Sequence, residues 1–397
     1  MKRLRRIVLM VDASRAYGRG ICRGVADYAE RHEDWLILPH ERPELNELPD
    51  WLRKSRVDGF IAYIPNRKLH HRISALGVPV VDVHGRCRAS DIPVIESDAR
   101  VIASMALRFF IKSGFQHLAY CGYPSVFFSD QREEAFRLQT DPLKRGAHIY
   151  APPSHAQVGE DLYQFEKGTV THEAALATWL RSLPKPVGLL ACNDIRGQQI
   201  INACRESEIR VPEEVAVLGV DNDEIICRLC RPTLSTIEPD VESIGRLAGE
   251  LMAAQFSGHS VEASYQVPPR RVVERRSTDV VVASHPLVVN AARLIRDRDC
   301  AEVSVDQVCE AVGTSRSTLD KLFLTHLGRS VAGEMTRIRV QRSQGLLQSS
   351  DLPLTEIARR CGFSSATYFC RFFKRMTGQT PDSYRQTWRD NSHSSEG

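Results

Sequence analysis

Residues 305–328, VDQVCEAVGTSRSTLDKLFLTHLG, can be laid over residues 354–378, LTEIARRCGFSSATYFCRFFKRMTG, with one extra residue in the second turn. Val308 then falls on Ile357, Gly313 on Gly362, Ser315 on Ser365, Phe323 on Phe373 and Gly328 on Gly378. Each copy reads as a short helix, a Gly-containing turn, a Ser/Thr N-cap and a second helix, which is the outline of a helix-turn-helix. One copy could arise by chance; two in tandem constrain the last quarter of the chain to an all-α domain with two such motifs. Between them, SVAGEMTRIRVQRSQGLLQSS reads as a helical spacer with Ile338, Leu346 and Leu347 available for packing.

On a wheel of about 100° per residue, the second helix of the later copy divides cleanly. Phe369, Phe372, Phe373 and Met376 form one apolar stripe, predicted as core. Ser364, Thr367, Tyr368, Arg371 and Lys374 lie on the other side. In the earlier copy Leu319, Leu322 and Phe323 are the core stripe; Ser315, Thr318 and Lys321 face outward, with Arg316 at the margin. Such outward sets suit a DNA major groove, where Arg reads guanine edges, Ser and Thr reach bases or phosphates, and Lys neutralises backbone. For a single helix, a merely solvated basic face is the commoner explanation; the repeat turns the balance towards DNA. A rigid spacer would let the two helices read successive major grooves, which requires ~34 Å between them. Charge agrees: from Pro286 onward sixteen Lys and Arg face twelve Asp and Glu, whereas the preceding 285 residues hold equal numbers. The whole positive excess, though small, lies in the repeat-bearing region, where it hints at a polyanionic partner.

Residues 1–276 follow another pattern. Short β-rich runs (RRIVLMV, VDGFIAYI, GVPVVDV, IPVIESD, FQHLAYCG, VGLLACND, EEVAVLGVDND) alternate with helical stretches such as ARVIASMALRFFIKSG and IRGQQIINACRES. This implies βαβ units and parallel sheets flanked by helices. Such sheets bind ligands beyond their strand C-termini. Asp12, Asp98, Asp194 and Asp221 end these runs and could face a ligand; the competing reading is that each caps the following helix. The region is predicted to close near residue 276, with a linker over 277–286, the helical domain over 287–388 and a flexible tail over 389–397.

No apolar run approaches the ~20 residues a membrane span needs. The apolar stretch after MKRLRR ends at Asp12, too short for an export signal, so a cytoplasmic location is expected. Eleven cysteines, an odd number in 397 residues, favour free thiols. Cys227 and Cys230 form one C-x-x-C without a second ligand pair, so no metal or other cofactor is expected; a thiol or metal sensor built on them is the alternative, against which stands a simple pair of small, half-buried residues. An enzyme is a further alternative, but no P-loop, H-E-x-x-H, G-x-S-x-G or cysteine-centred alkyl-acceptor motif is present.

Residues 286–386 resemble the AraC/XylS-type DNA-binding domain. The stretch LTEIARRCGFSSATYFCRFFKRMTGQTPDSYR carries the likeness through Gly362-Phe363, Phe369, Phe372-Phe373-Lys374, Gly378, Thr380-Pro381 and Tyr384-Arg385. In the spacer, Ser343 and Gly345 replace the family's Ala and a better helix former. Residues 4–276 resemble the sugar-sensing domain of LacI/GalR regulators, itself similar to periplasmic sugar-binding proteins. VIESDARVIASMALRFFIKSGFQHLAYCG, GLLACNDIRGQQIINACRESEIRVPEEVAVLGVDNDE and RPTLSTIEPDVESIGRLAGELM carry that likeness. It implies a two-lobed sensor with a hinge and a ligand held between the lobes. A sensor of this kind ahead of an AraC-type domain resembles the xylose-responsive regulators, of which RVVERRSTD and ASRAYGRGICRGVADY are further reminders. The resemblance implies a dimer that binds double-stranded DNA and D-xylose, leans towards activation through RNA polymerase, and catalyses nothing. Another sugar and repression are the variants it leaves open. It also implies that Asp194 in CND and Asp221 in GVDN accept from sugar hydroxyls, and that Arg132 in DQREEAFR donates across the ring. Asp12 and Ser14 in the first loop would complete the site, where the family favours amide side chains.

Overall fold

The protein is described here by a computed structural model covering residues 4–32, 34–40, 48, 50–53, 56–84, 92–141, 146–152, 166, 173–280, 285–297 and 303–386. The chain divides into two units, Met1–Asp279 and Val280–Gly397.

The first unit contains two six-stranded sheets. One has the order β11-β5-β4-β3-β1-β2, built from β1 (Arg5–Met10), β2 (Trp35–Pro39), β3 (Gly59–Ala62), β4 (Val80–Asp82), β5 (Val94–Ser97) and β11 (Ser264–Val267). The other has the order β12-β10-β9-β8-β6-β7, built from β6 (His117–Cys121), β7 (Ala147–Ile149), β8 (Val187–Ala191), β9 (Val215–Val220), β10 (Ser235–Glu238) and β12 (Arg271–Val273). Each β-rich run singled out in the sequence contributes a strand. Every pairing is parallel except β10 with β12. The central strands are buried on both faces, which explains their unbroken apolar runs: Val215–Val220 and Val187–Ala191 are buried throughout.

Helices α1 (Ala16–Ala29), α2 (Arg67–Ser74) and α8 (Val241–Phe256) flank the first sheet; α3 (Ala99–Lys112), α4 (Phe127–Thr140), α5 (Glu173–Ser182), α6 (Asp194–Glu206) and α7 (Glu224–Leu229) flank the second. The α1–α8 contact is made backbone to backbone: a Cβ on Gly24 would lie 2.0 Å from the Glu242 carbonyl oxygen, and one on Gly245 2.2 Å from that of Ile21. The chain crosses between the sheets after β5, after β10 and between β11 and β12. These crossings make two lobes joined by a hinge.

The sensor ends later than the expected start of the linker at 277. Ser277 and Thr278 are buried in the second lobe, where Ser277 Oγ donates to Val217 O at 2.6 Å. Thr278 Oγ1 lies 2.7 Å from Ser235 Oγ on β10, so the two hydroxyls tie the segment to β9 and β10.

The second unit has helices and no strand among its described residues: α9 (Pro286–Asp297), α10 (Val305–Ala311), α11 (Arg316–Leu327), α12 (Val331–Ser349), α13 (Leu354–Arg360) and α14 (Ala366–Thr377). Ser304 and Gln307 form a capping box on α10, and Ser315 and Ser365 cap α11 and α14. Gly328 and Gly378 end those helices at φ 66° and 81°, a left-handed conformation in which glycine has no Cβ to strain. The spacer is the 19-residue α12. Its first half lends Val331, Met335 and Ile338 to the core of the earlier copy; its second half lends Leu347 and Val340 to that of the later copy. Met376 is a correction: it is 46% exposed, while Phe369, Phe372 and Phe373 are buried. Tyr384 packs on Phe373 in the core beneath α14, and Met376 on the last turn lies outside that cluster among the described residues. The tail over 389–397 lies outside the described residues.

Candidate functional site

The C-terminal ends of the strands in both lobes meet across a cleft. Its second-lobe wall begins at the end of β9, which is followed by Asp221 and Asn222 at φ 122° and 54°. Two successive non-glycine residues in this region are strained, and such strain persists where the surroundings over-determine it. The surroundings here are hydrogen bonds: Asp221 N–H donates to Ile237 O at 3.0 Å, and Asp223 N–H to Asp194 Oδ2 at 2.7 Å. Asp194 is 1% exposed and also accepts from Thr236 Oγ1 at 2.6 Å and Cys227 Sγ at 3.4 Å. Both of its oxygens are thus engaged by the protein, beneath the turn. Burial outweighs these donors and pushes its carboxyl up to about 7.

Asp221 is half-buried and in the field of Arg132. Burial raises its carboxyl well above the ordinary range; Arg132 opposes this, while Asp194, Glu166 and Asp223 add to it. Arg132, on α4, is buried, donates to the Cys192 carbonyl and lies 5.2 Å over the Phe128 ring. Two of the residues expected to meet a sugar, Arg132 and Asp221, therefore share one electrostatic environment, with Asp194 under them.

The first-lobe wall is the loop between β1 and α1. Asp12 Oδ1 accepts from Ser14 N–H at 2.9 Å, and Ser14 is exposed. A Cβ on Gly18 would lie 1.9 Å from the Asp12 carbonyl oxygen, so α1 folds tightly against this loop. Asp98 does cap its helix, accepting from Arg100 and Val101 N–H. Neither Asp194 nor Asp221 is a cap; Asn193 and Asp223 take that role for α6 and α7.

Several cleft residues escaped the sequence reading. Arg15 reaches across to Glu166 at 2.7 Å, and Ala16 N–H donates to Asp223 Oδ2 at 3.1 Å. Glu166 in turn accepts from Asn193 Nδ2 at 2.9 Å. Glu96 accepts from Gln266 at 3.0 Å and from Gln131 of the other lobe at 3.4 Å. Tyr17 shares a hydrogen bond with Ser97, and burial pushes its hydroxyl up to about 12. His84 lies 5.6 Å from Tyr17 and 5.8 Å from Phe128, so rings from both lobes line the cleft. Carboxylates and guanidinium groups suit vicinal hydroxyls, since charge-assisted hydrogen bonds are the stronger kind; the rings supply apolar contact.

Cys227 and Cys230 are fully buried rather than half-buried. Burial pushes the Cys230 thiol up to about 12, and burial with the nearby Asp194 raises that of Cys227 further. Thiols held protonated in this way are poor nucleophiles and ligands.

In the second unit, Ser315, Arg316, Thr318 and Lys321 are all exposed on or before α11, and Ser364, Thr367, Tyr368, Arg371 and Lys374 are all exposed on or before α14. Arg316 lies 3.8 Å from Asp306 and 4.0 Å from Asp320. Behind these faces, Glu334 on α12 is wholly buried and gathers Arg329, Arg337 and Arg296.

Residues 107–278 match the periplasmic binding protein-like domain and residues 308–387 a helix-turn-helix domain. The xylose operon regulatory protein of Escherichia coli K12 is 30% identical over 391 residues, covering 96% of each chain. The chain belongs to the family of xylose operon regulatory proteins. A second member, from Haemophilus influenzae, is 28% identical over 389 residues, 96% of this chain and 98% of its own. The solved structure of the xylose-binding transcription activator XylR superposes with a TM-score of 0.70 at 29% identity, covering 97% of this chain and 99% of that one. A LacI-family regulator from Enterococcus faecium, solved with ribose, shares only the sensor fold: TM-score 0.54, 18% identity, 69% of this chain and 98% of its own. Xylose operon regulators are transcriptional regulators, so the family places the two helix-turn-helix motifs and the two-lobed domain in one regulatory chain. Among the described residues no helix is long and apolar enough to cross a membrane.

Proposed function

We propose that this chain is a cytoplasmic, D-xylose-gated activator of pentose-utilisation genes, acting as a homodimer and without catalytic activity. What carries the reading is that the likeness to xylose operon regulatory proteins runs through sensor and DNA reader alike, over 96% of the chain. Sugar enters the cleft between Arg132 and Asp221, with the Asp12–Ser14 loop closing from the first lobe. Arg132 donates and Asp221 accepts, while Asp194 holds the turn that presents Asp221. Closure selects one arrangement of a pre-existing equilibrium. That shift changes how α11 and α14 meet successive major grooves and brings RNA polymerase to the promoter. The outward residues divide the work: Arg316 and Arg371 meet bases, Lys321 and Lys374 meet phosphate, and Ser315, Thr318, Ser364, Thr367 and Tyr368 do either.

The test is calorimetric titration of the full-length chain with D-xylose, alongside L-arabinose, D-ribose and D-glucose. Saturable heat with D-xylose that disappears in Arg132→Ala and Asp221→Asn is the expected result. Heat with another of these sugars instead would keep the cleft and reassign the effector. Silence with all four would remove the pentose reading.

A further inference from the structure

Arg275 stands between the strained turn of the cleft and the point where the chain leaves the sensor. Its Nη2 donates to Asn222 Oδ1 at 2.8 Å, its Nη1 to Leu234 O at 3.0 Å, and its backbone N–H to Ser235 Oγ at 2.7 Å. Asn222 is the second of the two positive-φ residues, directly after Asp221. A turn held in such a conformation depends on its outside hydrogen bonds, because its own backbone preference opposes it.

On the other side, Arg275 begins a chain of short contacts in the exit segment. Ser235 Oγ lies 2.9 Å from Arg275 O and 2.7 Å from Thr278 Oγ1. Ser277 N–H donates to Thr233 O at 2.8 Å, and Ser235 N–H to Ser277 Oγ at 2.8 Å. The second unit's first helix starts at Pro286, a few residues on. Arg275 therefore joins the residue next to Asp221, through its guanidinium, to Ser235 and the last docked residues of the sensor, through its backbone.

We propose that Arg275 is the positioning residue that carries occupancy of the cleft to the segment entering the DNA-binding unit. This rests on the sugar-gated reading above. With ligand on Asp221 the turn is fixed, Asn222 Oδ1 is held in place, and Arg275 keeps residues 276–278 docked. Without it the turn relaxes, Arg275 loses an acceptor, and the exit segment is less firmly held. Coupling of this kind is a difference between two states, not a property of the bond alone.

The experiment compares full-length wild type with Arg275→Gln, Asn222→Gly and Asn222→Asp. D-xylose binding is measured by calorimetry, and DNA affinity is measured with and without saturating D-xylose. The DNA is a duplex selected from a random pool by the wild-type chain. The wild type should show a ratio of the two DNA affinities within the usual range of about 5–150-fold. Arg275→Gln should bind D-xylose within about threefold of wild type while that ratio collapses towards one, and Asn222→Gly, which alters the cleft turn itself, should show the same collapse at D-xylose concentrations that saturate its own site. Asn222→Asp keeps the acceptor and should keep the ratio. Should Arg275→Gln fail to fold, Asn222→Gly decides from the other end of the same bond. A wild-type ratio in either uncoupling variant overturns the proposal, as does a loss of sugar affinity that by itself accounts for the lost response. A wild-type chain indifferent to D-xylose sinks the gating reading and this inference together, before any variant is compared.

Discussion

Glu334 illustrates how far a single residue's behaviour departs from its type. Its side chain has no solvent exposure, a setting that by itself favours the neutral acid. Burial does act in that direction, but Arg337, Arg329 and Arg296 overcome it and hold the carboxyl at about 2. A folded-state value below the unfolded one means that ionisation of Glu334 stabilises the domain. The contribution is complete above the unfolded pKa and is lost as pH falls towards about 2. From the size of the depression it is worth about 3 kcal/mol. Glu334→Gln should therefore lower the thermal midpoint near neutral pH, with a gap to wild type that narrows between about pH 4.5 and 2. Calorimetric scans of both proteins over that range check it; a gap constant with pH would mean the carboxylate's charge contributes nothing. Arg132 and Asp221, proposed as sugar contacts, were singled out through the family motifs that carry them, and the structure brings the two into one electrostatic environment. Arg15 with Glu166 was not singled out, because the pair joins positions 151 residues apart. No local pattern marks such a partner. Nor did any motif mark Asp194 as enclosed: the hydroxyl and amide that take its oxygens come from β10 and from the turn after β9.

At the level of elements, local chemistry was a good guide. The serine caps, the glycine exits and, Met376 apart, the apolar stripes of α11 and α14 lie where the repeat placed them. The spacer shows which details matter. Ser343 is buried and returns its hydroxyl to Arg339 O at 2.7 Å, so it satisfies itself within the helix. Gly345 is exposed, and a Cβ there would meet nothing within 4 Å. Gly345→Ala should thus stabilise α12 by about 1 kcal/mol, through the lower entropy of the unfolded chain. Chemical denaturation would reveal it as a higher midpoint at an unchanged slope; a destabilised variant would mean that Gly345 serves a bend in the bound form. The stripe was misjudged only at Met376. Helical periodicity tells which way a side chain points, but whether anything stands there depends on where the neighbouring helix ends.

For the molecule as a whole, function depends on two units connected through a short segment. DNA affinity should fall steeply with salt, since each phosphate neutralised contributes about −0.9 to the slope of log K against log salt. Arg371→Ala should cost about 1–3 kcal/mol on the selected duplex and relax preference at one base position. Equal loss on every sequence, with a slope shallower by about one, would make Arg371 a phosphate contact instead. The sequence by itself determined the order of the parts: parallel α/β first, tandem helix-turn-helix last. Periodicity, caps and glycine placement act over a few residues and can be read along the chain. It also determined which helix faces are basic and exposed. Only the tertiary structure decided which side chains line the cleft, that Asp194 lies beneath the turn, that Cys227 and Cys230 are core, and that Arg275 touches both the turn and the exit. Those are contacts between strands and loops far apart in sequence, and burial sets their chemistry only once the lobes have formed.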